Sequence, residues 1–91
     1  MVAKRVVVSG KVQGVFFRAS TRRCASEHGV TGWVRNDPDG TVTAHLEGDP
    51  DGVHGVLGWI RAGGPPAARV DDVTVADAEE SGATGFQVRR S

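Results

Sequence analysis

Lys4-Arg5-Val6-Val7-Val8-Ser9-Gly10-Lys11-Val12 runs straight into Gln13-Gly14-Val15-Phe16 and then Phe17-Arg18, and the reading of this stretch decides the fold. The β-branched run predicts a strand over roughly Lys4 to Val12, covered on both faces and therefore central in its sheet. Gly14, free to adopt backbone angles closed to other residues, interrupts the pattern and makes Gln13 to Phe16 a strand-to-helix loop. Beyond the loop Phe17, Thr21, Cys24, Ala25 and His28 fall at i, i+4, i+7, i+8 and i+11, one buried stripe of a helix that Gly29 terminates.

Working outward, Val30 to Arg35 reads as a second strand, and Asn36-Asp37-Pro38-Asp39-Gly40 concentrates turn-forming residues. Thr41 to Glu47 returns as the hairpin partner, with Val42, Ala44 and Leu46 on a covered face and Thr41, Thr43, His45 and Glu47 on a wetter one. Asp49 stands as an N-cap before Pro50, and Val53, Val56, Leu57 and Ile60 form the apolar stripe of a second helix. Gly52, Gly55 and Gly58 each cost about 1 kcal/mol against Ala inside a helix, so this helix is expected to be the softer one. Gly63-Gly64-Pro65-Pro66 stops it, Ala68 to Ala76 is the fourth strand, and Phe86 to Arg89 is a short last strand on an edge. The order predicts an α+β, ferredoxin-like βαββαβ sandwich: a four- to five-stranded, mostly antiparallel sheet with two helices on one face.

No linker or low-complexity stretch divides the 91 residues, which are expected to form a single domain, 1–91. Eleven basic side chains balance eleven acidic ones, so no global field draws the chain to nucleic acid or a membrane. An RNA-binding sheet platform of this topology would also need stacking aromatics where Val6, Val7 and Val8 stand. The single cysteine, Cys24, excludes an internal disulfide and suits a reducing cytoplasm; on the apolar stripe it reads as a core residue rather than a nucleophile. His28, His45 and His54 lie on three different elements without ligand spacing, so no metal site is expected. The Val6-Val7-Val8 run is too short for an export signal or a membrane span. Trp33 and Trp59 read as packing residues, and Lys4-Arg5, Arg22-Arg23 and Arg89-Arg90 as solvated faces.

The first helical crossover makes the first two strands parallel, which places Gln13 to Arg18 and Asn36 at one edge of the sheet. A glycine-containing loop opening into a helix N-terminus aims unpaired N–H groups and partial positive charge at one spot, which suits an anion. Arg18, unfavourably placed beside that positive end, becomes favourable once an anion lies between them, and its fork matches a phosphate bidentately. Asn36 offers a neutral amide able to donate and accept, suited to holding a water in line with a bound phosphoryl group. Taken singly, Gly14 reads as a turn glycine, Arg18 as a solvated helix residue and Asn36 as a hairpin residue; the topology makes them a constellation.

Gly10-Lys11-Val12-Gln13-Gly14-Val15-Phe16-Phe17-Arg18 and Gly32-Trp33-Val34-Arg35-Asn36, followed by Asp39-Gly40-Thr41-Val42, resemble the two signature stretches of the acylphosphatase family. The resemblance runs nearly end to end, through Ala25, Gly29, Gly48, Gly64-Pro65, Ala68 and Val70. It implies a small, monomeric, cytoplasmic hydrolase that splits an acyl phosphate into a carboxylate and inorganic phosphate, with no metal and no organic cofactor. It also implies a phosphate-binding loop of Gln13, Gly14, Val15, Phe16, Phe17 and Arg18, and Arg18 and Asn36 as the catalytic pair, Asn36 orienting the attacking water. Carboxylate is a stable leaving group, so positioning and charge stabilisation suffice without a general acid. Two departures from the family pattern, His28 in place of an apolar helix residue and Arg89-Arg90-Ser91 in place of an aromatic, lie away from these positions. A rival reading is a binding module that holds a phosphate or carbamoyl phosphate without turnover, or serves a larger maturation machine. A chain that begins at Met1 and ends just after the last strand favours the free-standing enzyme.

Overall fold

The computed structural model describes residues 1–90, so Ser91 lies outside the described residues. Its elements are β1 (Val2–Lys11), α1 (Phe17–Glu27), β2 (Thr31–Asn36), β3 (Val42–Gly48), α2 (Pro50–Arg61), β4 (Arg69–Asp77) and β5 (Phe86–Arg89). The sheet order is β4-β1-β3-β2-β5. β1 pairs antiparallel with β3 and β4, β2 pairs antiparallel with β3, and β5 pairs parallel with β2. This is the ferredoxin-like arrangement the sequence predicts, with a fifth strand on the β2 edge. Among the described residues no helix is long and apolar enough to cross a membrane.

Val6, Val8, Val34, Val42, Ala44 and Leu46 project from the sheet onto Phe17, Cys24 and Ala25 of α1 and Val53, Val56, Leu57 and Ile60 of α2. Cys24 is thus a core residue, and burial pushes its thiol up, with the nearby Glu27 carboxylate adding to the shift. β1 is interior but not covered on both faces: its side chains alternate, with Arg5 exposed and Val7 half-buried. The helices cover only one side of the sheet.

The other side corrects the expectation for β3, because Thr43, His45 and Glu47 are all buried. β4 and β5 occupy opposite edges, so the chain between them must cross the sheet, and it does so beneath the helix-free face. The Ala78 N–H donates to Ala3 O, the Gly32 N–H to Gly85 O, and both the N–H and the hydroxyl of Ser81 donate to Glu47 Oε1. His45 Nε2 lies 2.6 Å from the same oxygen and donates to it, since a carboxylate only accepts. Burial alone would raise the Glu47 carboxyl, but the hydrogen bonds from Ser81 and His45 win and hold it down at about 2. On the same face the Trp33 ring stacks on His45 with centroids 5.9 Å apart. The guanidinium carbons of Arg35 and Arg89 lie 5.0 and 4.5 Å from the Trp33 ring centroid. Arg89, exposed as expected, thus also stacks on Trp33, and Lys4 makes an exposed ion pair with Asp77.

Around α2, Asp49 occupies the N-cap position before Pro50, yet its carboxylate makes no capping hydrogen bond. His28, expected on the buried stripe, is exposed at the end of α1, where its Nδ1 lies 2.8 Å from Cys24 O. Its neighbours explain two of the three helical glycines. A Cβ on Gly52 would stand 2.5 Å from His28 O, and one on Gly55 2.3 Å from the His28 ring, whereas Gly58 meets nothing within 4 Å. Gly52 and Gly55 thus let α2 approach the turn between α1 and β2, and Phe17 and Trp59 close the gap between the helices with ring centroids 5.8 Å apart.

Two outcomes are expected. Gly52→Ala lowers the urea midpoint, because about 1–3 kcal/mol of overpacking exceeds the helical gain. Gly58→Ala raises it, by the equivalent of about 0.5–1 kcal/mol of stability. A shift of the same sign in both would refute the close-approach account. Because the folded Glu47 carboxyl sits below its ordinary value, its stabilising share is complete above about pH 4.5 and drains away as pH falls toward about 2. Glu47→Gln should lower stability at neutral pH and flatten this acid dependence, read from urea midpoints across that window.

Candidate active site

β1 and β2 both run antiparallel to β3 and are therefore parallel to each other, so the loop after β1 and the last residue of β2 emerge at one edge. The Gln13 side chain locks them together: its Nε2 donates to Asp37 O at 2.8 Å and Thr41 O at 2.9 Å, the carbonyls at the two ends of the β2–β3 turn. Gly14, with φ 75°, turns the loop, and Phe16 enters α1 with φ 62°, the one non-glycine residue at positive φ among those described. Val15 and Phe17 are buried in the core. The side chains of Gln13, Val15 and Phe17 are thus structural, and what their positions offer a ligand is main-chain N–H. The first amides of α1 have no acceptor within the helix, and Ser20 N–H is the first to bond back, to Phe16 O at 3.0 Å.

Gly14, Phe16, Arg18, Ala19, Asn36 and Val88 line one cavity of about 280 Å³ at this edge. The constellation expected from topology is assembled there. Arg18 Nη1 donates to Arg89 O at 2.8 Å, so β5 steadies the guanidinium, and no carboxylate among the described residues pairs with it. The carboxamide oxygen of Asn36 is buried and has no hydrogen-bond partner among the described residues. An unsatisfied buried acceptor costs about 1–3 kcal/mol and persists where a ligand or water completes it.

The nearest acidic side chain in sequence is committed elsewhere. Asp37 accepts from Arg35 Nε at 3.0 Å, Thr41 Oγ1 at 3.0 Å and Thr43 Oγ1 at 2.5 Å. Its burial works to raise the carboxyl, and these hydrogen bonds outweigh it and leave it below the ordinary value. Asp37 therefore serves as the anchor of the turn. The residues that sequence reasoning missed are Val88, Ala19 and the Arg89 carbonyl. The alternation in Phe86-Gln87-Val88-Arg89 was the available signal, but it does not say which strand β5 joins.

The family described as Acylphosphatase matches residues 4–88. An acylphosphatase of Gloeobacter violaceus is 52% identical over 90 residues, covering 99% of this chain and 96% of its own. The crystal structure of acylphosphatase from Bacillus subtilis matches with a TM-score of 0.93 at 30% identity, covering 98% of this chain and 99% of that one. For an acylphosphatase from Coxiella burnetii the TM-score is 0.92 at 40% identity, with 97% and 92% covered. With the loop, the helix N-terminus and the Arg18–Asn36 pair gathered at one sheet edge, and likeness running the length of the sequence, this chain belongs to the acylphosphatase family, enzymes that hydrolyse acyl phosphates.

Proposed function

We propose that the cavity between the β1–α1 loop and the end of β2 is the catalytic centre, with Arg18 and Asn36 as its catalytic residues. The phosphoryl oxygens lie on the main-chain amides of the Gln13–Arg18 loop, where the helix dipole adds partial positive charge, and on the guanidinium fork of Arg18. The carbonyl of Arg89 occupies one donor of that fork, which fixes its direction and leaves the others for the ligand. Asn36 holds the attacking water in line with phosphorus, opposite the departing carboxylate. The observation that carries this reading is that Asn36, whose carboxamide oxygen is buried and unpartnered among the described residues, lines the same cavity as Arg18.

The step conserves its atoms without a protein acid or base. Water adds to phosphorus, the P–O bond to the acyl group breaks, and the electron pair leaves with a carboxylate. The water's proton passes to a phosphoryl oxygen of the substrate, since the carboxylate of Asp37 is held by Arg35, Thr41 and Thr43. Positive charge comes from Arg18 and the helix N-terminus, which suits turnover without a metal or organic cofactor. The protein acts as a single-domain monomer in the cytoplasm. Of the large apolar side chains exposed among the described residues, Met1, Phe16 and Val88, two lie at the cavity itself, so no broad apolar patch asks for a partner.

The test is phosphate release from benzoyl phosphate, with a chelator present throughout. Arg18→Ala should lose at least about 10²–10³ in kcat/KM, as on removal of one preorganised donor, and should also weaken inhibition by inorganic phosphate. Asn36→Ala should lower kcat by a similar factor with a smaller effect on KM. Inhibition by phosphate that survives Arg18→Ala intact would overturn the cradle, and loss of wild-type turnover in chelator would overturn metal independence.

A further inference from the structure

Phe16 carries two costs that the shape of the loop does not require. Its backbone is left-handed at φ 62°, ψ 25°, a conformation that crowds the Cβ of any L-residue and that Gly adopts freely and Asn with little penalty. The residue is 82% exposed, so it gains almost nothing from burial. A glycine or asparagine would give the same turn with neither cost. Strain and exposure retained together at the mouth of a site point to a side chain used by the ligand.

The surroundings name the part of the ligand concerned. Phe16 shares its cavity with Arg18 and Asn36, and Val88 of β5, 38% exposed, lines it too. Two apolar side chains, one from the loop and one from β5, therefore line the cavity together with the polar groups proposed to hold the phosphoryl group. The cavity, at about 280 Å³, approaches the roughly 300–1,000 Å³ of small-molecule pockets, which suits a phosphoryl group with a compact substituent. A phosphate seated on the loop amides has its acyl substituent as the group left to meet these walls.

We infer that Phe16 and Val88 form an acyl-contact surface that selects acyl phosphates with an apolar, ring-sized acyl group over those with a small one. This rests on the catalytic reading given above. The phosphoryl group is common to every substrate of the class, so discrimination has to act on the acyl half. Covering the exposed phenyl and isopropyl groups removes apolar surface from water only when the acyl group is large enough to reach them. An acetyl group leaves most of both uncovered.

The test compares kcat/KM for benzoyl phosphate with kcat/KM for acetyl phosphate in the wild type, Phe16→Asn and Val88→Ser, so that intrinsic reactivity cancels between variants. Phe16→Asn keeps the left-handed backbone accessible while removing the ring, and should lower the benzoyl-to-acetyl ratio by about tenfold or more, the scale of a lost apolar contact. Val88→Ser should lower it in the same direction by a smaller factor, and it decides the matter if far-UV circular dichroism shows Phe16→Asn to be misfolded. Phe16→Leu should recover part of the ratio. Turnover of both substrates with a ratio unmoved in the folded variants would overturn the acyl-contact surface and leave the catalytic reading standing. Failure of the wild type to hydrolyse either substrate would overturn the catalytic reading, and the acyl-contact surface with it.

Discussion

The parallel alignment of β1 and β2, with β3 hydrogen-bonded antiparallel between them, is the constraint on which the rest depends. Two strands with a common antiparallel neighbour must end at the same edge. That places the amide-rich start of α1 beside Asn36, although the two lie far apart in the chain. Gln13 then converts proximity into a fixed distance by donating to both ends of the β2–β3 turn. A carboxamide with two acceptors on one turn resists rotation, so a loop that has to bend sharply at Gly14 and Phe16 still holds its amides in place.

The two faces of the sheet are stabilised by different physics. Beneath the helices, valine, leucine and isoleucine side chains leave water together. On the opposite face, burial is polar: His45 and Ser81 converge on Glu47, and Thr41, Thr43 and Arg35 converge on Asp37. Such networks are tolerated because each carboxylate finds several donors. They also bear on the site. The segment that closes this face delivers β5 to the edge beside β2, Trp33 receives the Arg89 guanidinium, and the Arg89 carbonyl receives Arg18. The position of the Arg18 guanidinium is thus set partly by a face of the sheet that it does not touch.

Much of this was legible in local pattern. The helix stripes, the hairpin turn and the five strands follow from periodicity and turn chemistry, and Arg18 with Asn36 followed from topology once α1 was seen to connect parallel strands. The expectation of a wet face on β3 failed because alternation records only which side a residue faces; Thr43, His45 and Glu47 alternate as polar residues do and are buried, Glu47 bonded by chain that lies more than thirty residues later, at Ser81, and Thr43 by the Asp37 carboxylate. Gly52 and Gly55 looked like helix weakeners for a related reason: helix propensity is a local quantity, whereas their use, admitting His28 and its carbonyl, is a contact between elements.

By itself, then, the sequence determined the βαββαβ order, the single thiol committed to the core, the glycine-containing β1–α1 loop that opens into a helix N-terminus and the two side chains of the proposed chemistry. Periodicity, turn preference and charge type are properties of neighbouring residues and are written directly in the chain. Tertiary structure alone decided that β5 joins the β2 edge, that its Arg89 carbonyl steadies Arg18, and that Val88 faces the same cavity as Phe16. Those outcomes depend on where a long crossing segment comes to rest, a choice made by the summed packing and hydrogen bonding of the whole sheet rather than by any short stretch of residues.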